Sequence, residues 1–178
     1  MRTRGGDMRF TWLFLALPTL AAAQTPSRLA LLDDWAHQER HILAVIDSAT
    51  PAMLSFRTTP GVRTFAEQIE HITVVAATIT SQAVAGRALP PDLLGDRNAY
   101  LADRALLRAQ AERVFGFVRA TLAAVTDEEF GMDRQFAGGS MSRWRWNVTA
   151  LQHSAWTLGQ LVPYLRMNGR TPPQFTPF

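Results

Sequence analysis

Four long stretches of this chain place an apolar side chain at every third or fourth position, the spacing of one face of an α-helix. They cover residues 28–49, 64–86, 98–125 and 144–168. Strand patterns are weak, and residues 136–143, which contain Gly138-Gly139-Ser140, predict a loop or a tight hairpin. Four helices with connections of very different lengths favour an all-α fold, a four-helix bundle, over an α/β sheet.

Two capping boxes mark helix starts. Thr64 with Glu67, and Thr126 with Glu129, have the spacing in which a hydroxyl caps the helix and an acid three residues later reaches back. The nearby acids Glu70 and Asp127 are expected to be solvated charges at the starts of these helices.

The first 23 residues have the pattern of a Sec-type signal peptide. Arg2, Arg4 and Arg9 precede an apolar run, and Ala21-Ala22-Ala23 provides a cleavage site before Gln24. The translation start is Met1 or Met8, and the sequence does not show whether the leader is cleaved. Because the run is short and contains Pro18, it is a poor membrane span. We therefore expect a periplasmic or secreted protein with one domain over residues 24–178 and no stable membrane span.

Charge and residue usage exclude several kinds of chemistry. Without residues 1–23 the chain has 15 arginines and 14 acidic residues, so it lacks the basic surface that nucleic-acid binding requires. It contains no cysteine and no lysine. Disulfides, thiol nucleophiles and Schiff bases are therefore ruled out, and no glycine-rich phosphate loop or nucleophile-elbow serine is present.

His71 and His153 are the most informative polar residues because each lies on its own amphipathic helix. Two imidazoles from separate helices can meet in a bundle and bind a metal ion. One turn after His153 the chain has Thr157 rather than another strong ligand, so the site is one ligand short. The alternative is that each is an ordinary hydrogen-bonded histidine in the core or on the surface.

Three groups are candidates for a missing ligand: a water held at the Thr157 position, His41, and Glu67. His41 lies four residues after His37 on a mostly solvated face of the first helix. The capping role of Glu67 already explains its presence. Side chains on the same faces as the two histidines are expected to line a pocket: Gln68, Trp156 and Gln160.

Two segments resemble the DinB/YfiT-like family. They are FRTTPGVRTFAEQIEHI at 56–72 and HSAWTLGQLVPYLRMNGRTPP at 153–173, and the likeness extends over about 28–174. The resemblance implies a four-helix bundle, often a homodimer, with zinc or nickel held by three histidines. His71 matches the first of them and His153 the second, while Thr157 stands where the third is usual. A threonine hydroxyl is a poor zinc ligand, so we expect metal to bind weakly or not at all.

Two functions therefore remain open. The first is an exported module for binding or structure, with an incomplete two-histidine site. The alternative is a metal-dependent hydrolase or transferase that uses His71, His153 and a replacement ligand. The thiol transferases of the family use cytosolic thiols that an exported protein would lack. The sequence names neither the reaction nor the small-molecule ligand.

Overall fold

A computed structural model describes residues 28–176, and the signal peptide predicted for 1–23 lies outside them. The chain is mostly helical, and its elements follow one another in a simple order: α1 (Arg28–Ser48), a 3₁₀ turn (Pro51–Ser55), α2 (Phe65–Thr78) with a π-helical continuation (Ile79–Val84), α3 (Arg97–Ala102), α4 (Arg104–Ala124), α5 (Asp127–Gly131), β1 (Asp133–Phe136), β2 (Gly139–Ser142), α6 (Arg143–Gly159) and α7 (Leu161–Met167).

Four long helices surround a single apolar core. Helix α1 packs against α4 and α6, and α2 packs against the same two helices. The largest fully buried side chains come from several elements, which joins them into one cluster: Trp35, Phe65, Phe115, Ile42, Ile69, Leu107 and Leu161. Within residues 28–176 no helix is long and apolar enough to cross a membrane.

The third predicted helix is divided at Asp103. Its backbone is extended (φ −129°, ψ 124°), and its carboxylate accepts a hydrogen bond from the Leu106 N–H as the cap of α4. An aspartate that can bond to nearby backbone groups is more favourable at a cap than inside a helix. The chain therefore forms α3 and α4 instead of one helix over 98–125.

The fourth predicted helix is divided after Gly159. Pro163 lies three residues into α7, and a proline ring would clash with the carbonyl four residues earlier if the helix were continuous. The predicted loop or tight hairpin at 136–143 is a short antiparallel hairpin, in which β1 pairs with β2 from Asp133–Ser142 to Phe136–Gly139.

The second predicted helix ends at Gly86, as expected. Gly86 has a φ of +70°, a conformation that other residues rarely adopt. The guanidinium of Arg134 lies 2.8 Å from where a Cβ would be, and it donates a hydrogen bond to the Gly86 carbonyl. This contact fixes the hairpin to the end of the π-helical segment.

Candidate metal centre

The start of α2 is held from two sides, and this positions His71 two turns into the helix. The Thr64 hydroxyl accepts from the Glu67 N–H at 3.1 Å, and the Glu67 carboxylate accepts from the Thr64 N–H at 2.7 Å, which confirms the capping box. In the preceding loop, the Arg63 carbonyl accepts a 2.6 Å hydrogen bond from the Tyr164 hydroxyl on α7.

The start of α6 is anchored by the hairpin. The Ser142 hydroxyl caps the helix, and the Trp146 indole N–H donates to the Arg134 carbonyl at 2.8 Å. Trp146 is 7% exposed and its ring meets that of Phe136 edge-on at 5.3 Å. With this end fixed, His153 comes to face α2 about two turns further along the helix.

His71 and His153 meet across the contact between α2 and α6. Their Nε2 atoms lie 3.2 Å apart, and the ring centroids are 4.9 Å apart with an interplanar angle of 73°. At zinc–nitrogen bond lengths of ~2.0–2.1 Å, two nitrogens 3.2 Å apart subtend an angle of about 100° at a shared ion, close to tetrahedral. The same distance also fits a hydrogen bond in which one imidazole donates and the other accepts.

The surroundings of both imidazoles favour the uncharged form that binds metals. Partial burial lowers the pKa of His71, and the charges of Arg63 and His153 lower it further, against an opposing effect of Glu70. Burial and the charge of Arg63 lower the pKa of His153 in the same way. A metal ion binds only the neutral form of imidazole. These surroundings therefore suit direct coordination of a cation by the two ring nitrogens.

One of the hydrogen bonds that usually support a metal-binding histidine is missing from the described residues around the pair. Ligating histidines usually donate their second ring N–H to an acceptor. The Nδ1 atom of His153 is buried and has no hydrogen-bond partner within the described part of the chain. The two imidazoles therefore fit a divalent ion as two ligands, without the support typical of a high-affinity site.

No third strong ligand joins the pair. Among residues 28–176, no group of three or more His, Cys, Asp or Glu side chains could hold a metal ion. Glu67 is occupied by its cap and by an ion pair with Arg57 at 3.1 Å. His41 lies beside His37, with ring centroids 4.3 Å apart, in a cleft on another side of α6. Thr157 is 2% exposed, one turn after His153.

Two of the three expected pocket residues bridge the same helices as the histidines. The side-chain amide of Gln68, one turn before His71, donates a hydrogen bond to the Gln160 amide oxygen at 2.5 Å. Both glutamines line a cavity of about 540 Å³, together with Thr58, Gly61, Val62, Arg63, Pro163 and Tyr164. The expectation for Trp156 needs correction because its indole is 76% exposed and lies on the outer surface of α6.

The prediction that Glu70 is a solvated charge was wrong. Its side chain is 13% exposed, forms two hydrogen bonds to the Arg97 guanidinium at 2.6 and 2.7 Å, and accepts from the Tyr100 hydroxyl at 2.7 Å. This cluster ties α3 to α2 at the residue before His71. No local pattern in the sequence reveals this cluster, because Arg97 and Tyr100 lie 27 and 30 positions from Glu70. The same holds for the placement of Arg63, whose carbonyl is bonded by Tyr164, 101 positions away.

Comparison with known proteins places the chain in a structural context. The sequence model of the DinB superfamily matches residues 34–161. A crystal structure of a DinB-like protein from Bacillus cereus ATCC 10987 superposes with a TM-score of 0.67 at 19% identity, covering 83% of this chain and 97% of that one. A DinB-like protein from Bacillus subtilis gives 0.66 at 14% identity, covering 82% and 96%. No curated protein matches.

Proposed function

This chain belongs to the DinB superfamily, and on that premise we propose that it is an exported binding module with a reduced divalent-metal site formed by His71 and His153. The observation that carries the proposal is the 3.2 Å distance between the two Nε2 atoms, together with the absence of a third strong ligand from residues 28–176. Two imidazoles and water form a weak site that loses its ion to competing chelators.

The proposed binding role follows from what the pair lacks. A catalytic zinc site usually has three protein ligands and a supported outer shell. Here Thr157 stands one turn after His153, and the His153 Nδ1 atom has no acceptor within the described residues. Export is inferred from residues 1–23 of the sequence, and a homodimer is inferred from the family.

One observation favours a metal-dependent hydrolase or transferase as the second candidate. The cavity of about 540 Å³ is lined by Arg63, Gln68 and Gln160, and Gln68 lies one turn before His71, so a polar substrate in the cavity could approach the pair. When bound, a divalent ion would supply Lewis-acid activation of water or of a carbonyl. The two glutamine amides would orient the substrate, and Arg63 would attract an anionic group.

Metal titration of the purified full-length protein tests the proposal. Zn²⁺ is titrated against a chromophoric chelator, and Co²⁺ is followed by its visible absorption. We expect one weak site that disappears in His71→Ala and in His153→Ala and persists in His41→Ala, the matched control on α1. Failure of the wild-type protein to take up either ion would contradict the metal site. Stoichiometric zinc or nickel that resists the chelator would favour the enzyme.

Expression with the native leader, followed by mass spectrometry, tests export: the expected mature chain begins at Gln24.

A further inference from the structure

A second cleft lies on the side of α6 away from His153. It has a volume of about 220 Å³ and is bounded by α1, α6, α7 and the chain after α7. Helical positions advance by about 100° per residue, so Ala155, Leu158 and Gly159 point roughly opposite to His153. The cleft is therefore distinct from the histidine pair. Its lining is almost wholly apolar, with Leu158, Val162, Pro173 and Phe175 beside the polar side chains of Gln38 and His41.

Gln38 is one of two polar side chains among the described residues that line this apolar cleft. Its amide N–H donates to the Ser154 hydroxyl at 3.0 Å in the interior. Within residues 28–176 no group donates to its amide oxygen. An acceptor without a donor in a mostly apolar site favours a ligand that brings the donor.

The C-terminal strap, residues 170–176, forms one wall of the cleft. Arg170 donates to the Ser48 carbonyl at 2.9 Å, and the Thr176 N–H donates to His41 Nε2 at 3.3 Å. The Phe175 ring lies 5.1 Å from that of His41 and 6.1 Å from that of His37. Both ends of the strap are thus bonded to α1, although Phe175 itself is 73% exposed.

We propose that this cleft binds a neutral small molecule of about one ring that carries a single hydrogen-bond donor, held between α1, α6 and the C-terminal strap. The volume supports a ligand of this size, since an apolar cavity of ~150 Å³ accommodates benzene. Its described lining residues include no Asp, Glu, Lys or Arg, and burial with the charges of His37 and Arg40 lowers the pKa of the one histidine, His41. A charged ligand would lose its hydration without a counter-charge. The donor would meet the amide oxygen of Gln38.

Phenol, toluene and benzoate are suitable probes of this ligand class. Each is titrated into the full-length protein, and binding is followed by amide chemical shifts in NMR spectra. We expect phenol and toluene to bind saturably, with shifts at Ala155 and Leu158, and only phenol to move the Gln38 side-chain amide. Benzoate binding as well as phenol would overturn the neutral class, and phenol shifts spread over the surface without saturation would overturn the site.

A pair of glycine substitutions separates the cleft from general effects. A Cβ at Gly159 meets nothing within 4 Å, and the same holds for Gly116 in the middle of α4. Gly159→Leu fills the cleft and should weaken phenol binding at least about tenfold, whereas Gly116→Leu should change it less than about twofold. Unchanged binding in Gly159→Leu would overturn the proposal. If that variant fails to fold, Ala155→Leu, at an exposed position in the same cleft, replaces it. Concentration-dependent self-association that produces the same shifts without phenol would show that a second copy of the chain fills the cleft.

Discussion

The Nε2 atoms of His71 and His153 lie 3.2 Å apart, although the residues are 82 positions apart in the sequence. The packing of α2 against α6 brings them together, with the start of α2 set by its capping box and the start of α6 held by the hairpin. The arrangement has two imidazoles where the family resemblance implies three, and Thr157 occupies the remaining position one turn after His153.

Thr157→His should raise zinc affinity at least about tenfold, because it adds an imidazole ligand to a site that has two. Thr157 is buried, so the larger side chain should also cost about 1–3 kcal/mol of stability without metal. Chelator competition measures the affinity, and chemical denaturation with and without Zn²⁺ measures the stability. Gln152→His, at an exposed position on the same helix, is the control for an added histidine. Equal zinc affinity in Thr157→His and wild type would refute the third-ligand interpretation of this position.

Tyr100 should make the protein lose stability in alkaline solution. Burial and its hydrogen bond to Glu70 raise the pKa of the phenol far above its ordinary value of about 10. Above that pH the unfolded chain loses the proton while the folded chain keeps it, so stability falls with a slope of at most about 1.4 kcal/mol per pH unit.

Tyr100→Phe removes this dependence, at a cost near neutral pH of about 1 kcal/mol for the lost hydrogen bond. Urea denaturation of both proteins between pH 9 and pH 11 checks the prediction. The wild-type curve should be steeper, and two parallel curves would contradict the assignment.

Two tryptophans on α6 should respond differently to truncation. Trp146 is buried and bonded to the Arg134 carbonyl, so Trp146→Ala should destabilise the protein by about 3–5 kcal/mol. Trp156 is largely exposed, so Trp156→Ala should change stability by less than about 0.5 kcal/mol. Thermal and urea denaturation compare the two directly. A large loss for Trp156→Ala at low protein concentration would mean that its side chain is buried after all.

Trp35 and Asn147 should be coupled in stability. The Trp35 indole N–H donates to the Asn147 amide oxygen at 2.9 Å in the core, and the Asn147 amide nitrogen is buried without a partner. Trp35→Phe newly leaves the Asn147 amide oxygen unsatisfied and Asn147→Leu leaves the Trp35 indole N–H unsatisfied, each at about 1–3 kcal/mol, whereas the double variant removes both groups. The cycle should show a coupling of about 1 kcal/mol or more. Combining Trp35→Phe with the exposed Gln152→Ala gives the additive reference, and additivity in the core pair would disprove the coupling.

Local signals in the sequence predicted the local structure well. The capping boxes at Thr64 and Thr126 are both present, and the helix-spaced apolar residues produced the long helices. Helix periodicity did not reveal the break at Asp103, because the periodic apolar pattern continues across it. Trp156 was expected to line a pocket because an indole on a helix face is usually buried. Only the packing of α6 shows that its face of the helix is left uncovered.

The sequence by itself determined the helices, their caps and two histidines on separate helices, since each depends on residues within a few positions of one another. Only the tertiary structure decided that the two imidazoles meet, that Glu67 and His41 lie elsewhere, that Glu70 is enclosed by Arg97 and Tyr100, and that Gln38 opens into an apolar cleft. These relationships join residues between 27 and 116 positions apart. They depend on which faces of the helices pack together, and no local pattern of residues encodes that choice.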